Sequence, residues 1–89
     1  MFLLRVPNIR KIIPYPLKNP TPLELTYPEY EVLRLSEIEK KKQEEVARIM
    51  KTSRGTVWRL LESGREKLVR AVVEGRPLLI TEKGSLERA

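Results

Sequence analysis

QEEVARIMKTSRGTVWRLLE, residues 43–62, reads as two helices joined by a tight turn. Val46, Ala47 and Met50 share one face of the first helix, and Val57, Leu60 and Leu61 share one face of the second, at the spacing that buries an apolar stripe. Between them, Lys51-Thr52-Ser53 leaves room for a turn of three to four residues. Ser53 is placed to cap the second helix by accepting from its orphan N–H groups. Ala47 sits where two steeply crossing helices tolerate nothing larger than a methyl. This is the pattern of a DNA-binding helix-turn-helix, whose second helix enters the major groove. Double-stranded DNA is the partner it predicts.

The rest of the composition agrees with a small binding module. A chain of 89 residues is one domain that hides only about 60–70% of its unfolded surface, so a second subunit covering apolar groups would help. A homodimer is the expected assembly. The formal charge of +6 favours a polyanionic partner. The chain has no cysteine and no histidine. That excludes a disulfide framework, a thiolate or structural zinc site, a Cys–His pair and a Ser–His–Asp triad. The carboxylates, lysines and tyrosines that remain form no isolated pair, so no enzyme activity, cofactor, metal or small-molecule substrate is expected. Heavy use of Glu, Lys and Arg with few Asn and Gln leans towards a thermophilic source. The opening MFLLRVPNIRKIIP holds too short an apolar run for a signal peptide or a membrane span. A cytoplasmic, nucleoid-associated protein without membrane contact is the corresponding expectation.

Working outward, the chain divides into an extended arm (1–25), a helix-turn-helix domain (26–76) and a short strand with a frayed tail (77–89). Pro7, Pro14, Pro16, Pro20 and Pro22, of seven prolines in all, keep the arm out of helix. Residues 2–6 and 9–13 are candidate edge strands, and the arm reads either as surface wrapping or as a segment that packs on a neighbour or tracks DNA. Thr26-x-x-Glu29 is a capping box with Pro28 in the first turn, and Leu25 and Tyr30 are spaced as a hydrophobic staple. Tyr30, Val32, Leu33, Leu35 and Ile38 then spread around the helix, which implies more than one covered face. Glu39-Lys40-Lys41-Lys42 links to the second helix. The third helix is predicted from Ser53 to about Glu74, with Val57, Leu60, Leu61, Gly64, Leu68, Ala71 and Val72 in phase. Gly75 is its natural C-cap and Pro77 its stop. Gly64, on the apolar stripe, predicts close approach of another helix. Leu78-Leu79-Ile80-Thr81 is a strand candidate that needs a partner, and the arm offers one.

With the second helix of the motif in the major groove, Ser53, Arg54, Gly55, Trp58, Arg59 and Glu62 face outward. Arg54 and Arg59 are the candidate base readers, because a guanidinium bridges guanine O6 and N7. Ser53 and Thr56 suit a phosphate at the helix N-terminus, and Gly55 lets the backbone come close. Lys41 and Lys42 are either a solvated loop or phosphate contacts. Arg65, Lys67 and Arg70 either reach the DNA backbone or pair with Glu62, Glu66 and Glu74 at helical spacing. Trp58 reads as partly buried, or as a ring against a thymine methyl or the sugar-phosphate edge. Glu62 either accepts from a cytosine amino group or, the preferred reading, holds Arg59 or Arg65 in position.

The ordered segments YPEYEVLRLSEIE, QEEVARIM, SRGTVWRLLESGREKL and VVEGRPLLI resemble a family of small archaeal and bacterial proteins predicted to bind DNA, whose helix-turn-helix is similar to region four of primary sigma factors. The resemblance runs from about Ile9 to Ile80. It matches Glu31, Arg34, Leu35 and Glu37 to the first-helix signature, Gln43, Glu44 and Glu45 to the start of the second helix, and Ser53, Thr56, Arg59 and Leu60 to the recognition helix. It implies a mostly α fold: a three-helix, sigma region four-like core with a proline-rich arm and a short C-terminal strand. The chain departs from the family at Lys42 (usually Ser or Thr), Lys51 (glycine nearby), Thr52 (aliphatic) and Gly64 (commonly alanine). A lysine at the turn must adopt whatever backbone a glycine would. Three functions compete: a sequence-specific, dimeric transcription regulator; an architectural DNA coater; and an adaptor of the transcription machinery using an acidic face of Glu29, Glu31, Glu37 and Glu39. The two candidate base readers favour the regulator.

Overall fold

The computed structural model describes residues 7–82. Three short strands and three helices follow one another as β1 (Lys11–Ile12), β2 (Leu23–Thr26), α1 (Tyr27–Leu33), α2 (Gln43–Met50), α3 (Arg54–Glu74) and β3 (Leu78–Thr81), with a π-helical turn, Arg34–Ile38, continuing α1. The fold is mostly α, a three-helix helix-turn-helix core carrying a small sheet. The strand candidate at residues 2–6 lies outside the described residues.

β3 is the middle strand, antiparallel to β1 and parallel to β2, in the order β1-β3-β2. The arm does partner the C-terminal strand, through Lys11 opposite Leu79. A second strand, β2, was assigned above to the arm. It pairs Leu25 with Ile80 and Thr26 with Thr81, and the expected arm boundary after residue 25 falls inside it. Leu23 and Leu25 point to one side and Glu24 to the other, a period of two that four residues after two prolines scarcely advertise. The intervening arm is tied to the C-terminus of α3. Lys18 and Asn19 donate their backbone N–H groups to the Gly75 carbonyl at 3.0 and 3.1 Å, and Arg76 Nε donates to the Thr21 carbonyl at 2.8 Å. Gly75 has φ +63°, and a Cβ there would stand 2.7 Å from Lys18 Cβ. Glycine is therefore demanded twice, by backbone and by space.

α1 begins as its sequence predicts. Thr26 Oγ1 accepts from the Glu29 N–H at 3.3 Å while Glu29 Oε1 accepts from the Thr26 N–H at 2.9 Å, a complete capping box. Val32, Leu33 and Leu35 enter the core with Val46, Ala47, Met50, Val57, Leu61, Leu78 and Ile80. Each fully buried aliphatic side chain contributes about 1.5–3 kcal/mol. Ile38 is 75% exposed. The wider π turn, closed by the Glu39 N–H on the Arg34 carbonyl at 3.1 Å, lags the phase of an α-helix and carries Ile38 off the core side.

Gly64 does mark a close crossing. A Cβ on it would lie 2.8 Å from Leu33 Cδ1, so α1 and α3 touch across a bare backbone. Beyond Gly64 the buried stripe of α3 stops. Leu68 is 37% and Val72 82% exposed, and only Ala71 stays half-buried, which corrects the expectation of one continuous stripe.

Candidate nucleic-acid interface

The turn between α2 and α3 is a Schellman motif. The Thr52 N–H reaches the Ala47 carbonyl at 2.9 Å and the Lys51 N–H the Arg48 carbonyl at 3.2 Å. Lys51 itself adopts φ 56°, ψ 51°, so a lysine holds the left-handed conformation that glycine takes without strain. Ser53 then caps α3, its Oγ accepting from the Thr56 N–H at 3.1 Å. The hydroxyl also donates to Thr56 Oγ1 at 3.0 Å, and Arg59 Nη2 donates to the same oxygen at 3.2 Å. Ser53, Thr56 and Arg59 thus form one hydrogen-bonded unit at the start of α3.

Around this unit Ser53, Arg54, Gly55, Trp58, Arg59 and Glu62 are exposed and Thr56 is half-buried. Trp58 is 53% exposed and presents its ring outward. Gly55 has room to spare: a Cβ would meet nothing nearer than Arg59 Nη1 at 3.7 Å. The fold does not require glycine there.

The charges along α3 divide in two. In the C-terminal part of α3 every cation is engaged. Arg65 Nη2 reaches Glu37 Oε2 on the π turn at 2.6 Å, Lys67 Nζ reaches Glu29 Oε1 at 2.8 Å, and Arg70 bridges Glu66 and Glu74 at 2.7 and 2.8 Å. Arg70 pairs as its spacing suggested, whereas Arg65 and Lys67 turn to α1 and its π extension, brought within reach by the Gly64 crossing. Glu62 consequently holds neither Arg65 nor Arg59, contrary to expectation. Lys41 pairs with Glu45 at 3.6 Å. Among the described residues Lys42, Arg48 and Arg54 of the motif form no ion pair, nor do Arg10, Lys11, Lys18 and Lys40 outside it, and Arg59 has only its threonine hydroxyl. Arg48 was not singled out from the sequence. Its signal is position: it follows the crossing residue Ala47 and so points away from the core. Lys42 occupies the N-cap of α2 with no side-chain cap.

The acidic face proposed for an adaptor does not form. Glu29 and Glu31 are buried. Glu31 accepts two bonds from Arg34, at 2.9 and 3.1 Å, Arg34 also meets Glu39, and Glu37 is taken by Arg65. Burial pushes the Glu29 carboxyl upward, but the bonds from Lys67, Ser63 and the Thr26 N–H prevail and hold it below its ordinary value. Arg65 holds Glu37 low in the same way. The lining of an open groove of about 340 Å³, between the sheet and α1 with its π turn, is almost wholly apolar and includes Ile9, Ile12, Tyr30, Ile38 and, from α3, Leu68. No helix among the described residues is long and apolar enough to cross a membrane.

The family model described as "Protein of unknown function DUF134" matches residues 1–89. A "UPF0251 protein" of Archaeoglobus fulgidus is 39% identical over 88 residues, spanning 99% of this chain and 84% of the relative. UPF0251 proteins of Pyrococcus horikoshii and Thermococcus kodakarensis are 45% identical over 82 residues and 43% over 85; each alignment spans 74% of the relative, and 89% and 90% of this chain respectively. A bacterial relative, from Halothermothrix orenii, is 40% identical over 75 residues. No solved structure matches. On the full-length family match and the identity with thermophile relatives, this chain belongs to the DUF134 family of archaeal and bacterial proteins.

Proposed function

We propose that the protein binds double-stranded DNA as a homodimeric transcription regulator, with the N-terminal end of α3 in the major groove. The observation that carries this reading is the uneven pairing of charge. Cations of α3 beyond Gly64 are neutralised by carboxylates, whereas Arg54 in the first turn of α3, Arg48 in the last turn of α2 and Lys42 at the N-cap of α2 have no carboxylate partner among the described residues. Phosphates are the complementary ligand for such a surface. Arg54 and Arg59 read base edges, Ser53 and Thr56 meet a phosphate, and Gly55 admits the backbone. Trp58 lies flat on the sugar-phosphate edge or a thymine methyl. No catalytic role is assigned.

The test is the affinity for a random-sequence duplex as salt is varied. Log K should fall linearly with log salt, and replacing Lys42 or Arg48 by alanine should each lower the slope by about one. A slope unchanged by both substitutions would remove this face from the DNA contact. Uniformly tight binding with no preferred sequence would favour architectural coating over regulation.

A further inference from the structure

Two side chains converge on one oxygen at the start of α3. Ser53 donates its hydroxyl to Thr56 Oγ1 at 3.0 Å, and Arg59 Nη2 donates to the same oxygen at 3.2 Å. Arg59 is thereby folded back over the first turn, its Nη1 standing 3.7 Å from where a Cβ on Gly55 would lie. For a cation in the free protein this is a poor place. The N-terminal end of a helix is the positive pole of its dipole, and Arg54 stands in the same turn. Neither arginine forms an ion pair among the described residues. A neutral hydroxyl, not a charge, holds the guanidinium there. That hydroxyl is itself well fixed, because a β-branched side chain in a helix has few rotamers and the Ser53 bond selects one.

We infer that Thr56 is a positioning residue, whose hydroxyl holds Arg59 in the one orientation that makes it selective for guanine. The inference rests on the DNA-binding reading above and adds what sets its specificity. A guanidinium carries five N–H donors. One is spent on Thr56, and the rest are ample for the two-pronged bond to guanine O6 and N7. An untethered arginine swings between base edges and phosphates and so discriminates less. Ordering it before the duplex arrives also removes an entropy cost, equivalent to about 2- to 12-fold for one long side chain. Thr56 keeps its phosphate contact. The two hydroxyls of Ser53 and Thr56 carry two protons, of which one lies between them and the other is left for a phosphate oxygen. Arg54 has no such tether among the described side chains, which makes it the internal control.

The probe is a duplex enriched by the wild type from a random pool at about 150 mM salt, with each base pair then changed in turn. R59A and R54A identify the pair that each arginine reads. T56V, which keeps the shape and removes the hydroxyl, should lower the preference for guanine at the Arg59 pair by about 2- to 12-fold. It should leave the Arg54 pair unchanged, and T56S, which restores the hydroxyl, should restore the preference. Both variants should melt near the wild type, because the Ser53 cap bonds the backbone N–H of residue 56. A measurement on the unmodified protein stands beside them: in free wild type the Arg59 Nε–H should relax as an ordered group in NMR, unlike that of Arg54. Equal disorder of the two would overturn the inference. So would an R59A protein that loses preference at no pair, a T56V protein with wild-type preference at the Arg59 pair, or one that weakens every duplex alike. Each of those results leaves DNA binding itself standing. A wild type that enriches no sequence would fell both.

Discussion

Two residues at the proposed interface sit where the fold alone would choose otherwise. Gly55 occupies the first turn of α3 with open space beside it, so Gly55→Ala should stabilise the protein by about 0.5 kcal/mol. On the proposed reading it should nevertheless weaken DNA binding, because a methyl then stands between backbone and duplex. Lys42 occupies an N-cap that serine or threonine would fill better. Lys42→Ser should raise stability by about 0.5–1 kcal/mol and lower DNA affinity together with its salt slope. Thermal melts and duplex titrations of both variants check the pair of effects. Substitutions that gain stability and leave DNA affinity unchanged would strip these positions of their proposed role. Lys51 is different: its left-handed backbone is a cost of structure, and Lys51→Gly should raise the melting temperature by several degrees, equivalent to about 1 kcal/mol.

At the scale of elements, the Glu29 cluster welds α1 to α3. Its carboxylate accepts from Ser63 and Lys67 on α3 and from its own cap. A carboxylate whose folded pKa lies below the unfolded one stabilises the fold above the unfolded value, and that contribution disappears as pH falls through the folded value. The melting temperature should therefore hold from pH 7 to about 5 and drop below the ordinary glutamate pKa of about 4.3. Glu29→Gln should lower the plateau and flatten that drop; a variant with the wild-type profile would assign the acid sensitivity elsewhere. Gly64 sets the same crossing by contact, and Gly64→Val should cost about 1–3 kcal/mol through overpacking against Leu33. These elements were legible to different degrees in the sequence. The capping box, the Ser53 cap, the Gly75 stop and the Gly64 crossing are local chemistry, readable from residue type and spacing. The π turn was not, because nothing in RLSEI departs from helical preference and only the exposure of Ile38 betrays the slipped phase. β2 was hidden behind its prolines. Arg65 and Glu62 were misjudged because helical spacing names neighbours on one helix, whereas Arg65 finds its partner 28 residues away.

Across the whole molecule, one long helix carries two surfaces. Its first turns hold exposed, carboxylate-free arginines and its last turns bare valines, with the Gly64 crossing between them as the anchor to the core. The outward residues at the start of α3 follow from helical phase once Ser53 is recognised as the cap, which is why the candidate interface could be read from sequence. The segregation of paired from unpaired charge could not, since it depends on which side chains the tertiary fold brings together. The central claim, sequence-specific DNA binding by the start of α3, is tested most directly by selecting bound sequences from a random duplex pool at about 150 mM salt and comparing affinities for the winner and its scrambled counterpart. The account predicts a two-fold symmetric site preferred about a thousandfold or more, with Arg54→Ala and Arg59→Ala each costing about 1–3 kcal/mol at that site and relaxing its base preference. A pool that enriches nothing, or a site to which both variants bind as tightly as the wild type, would contradict it.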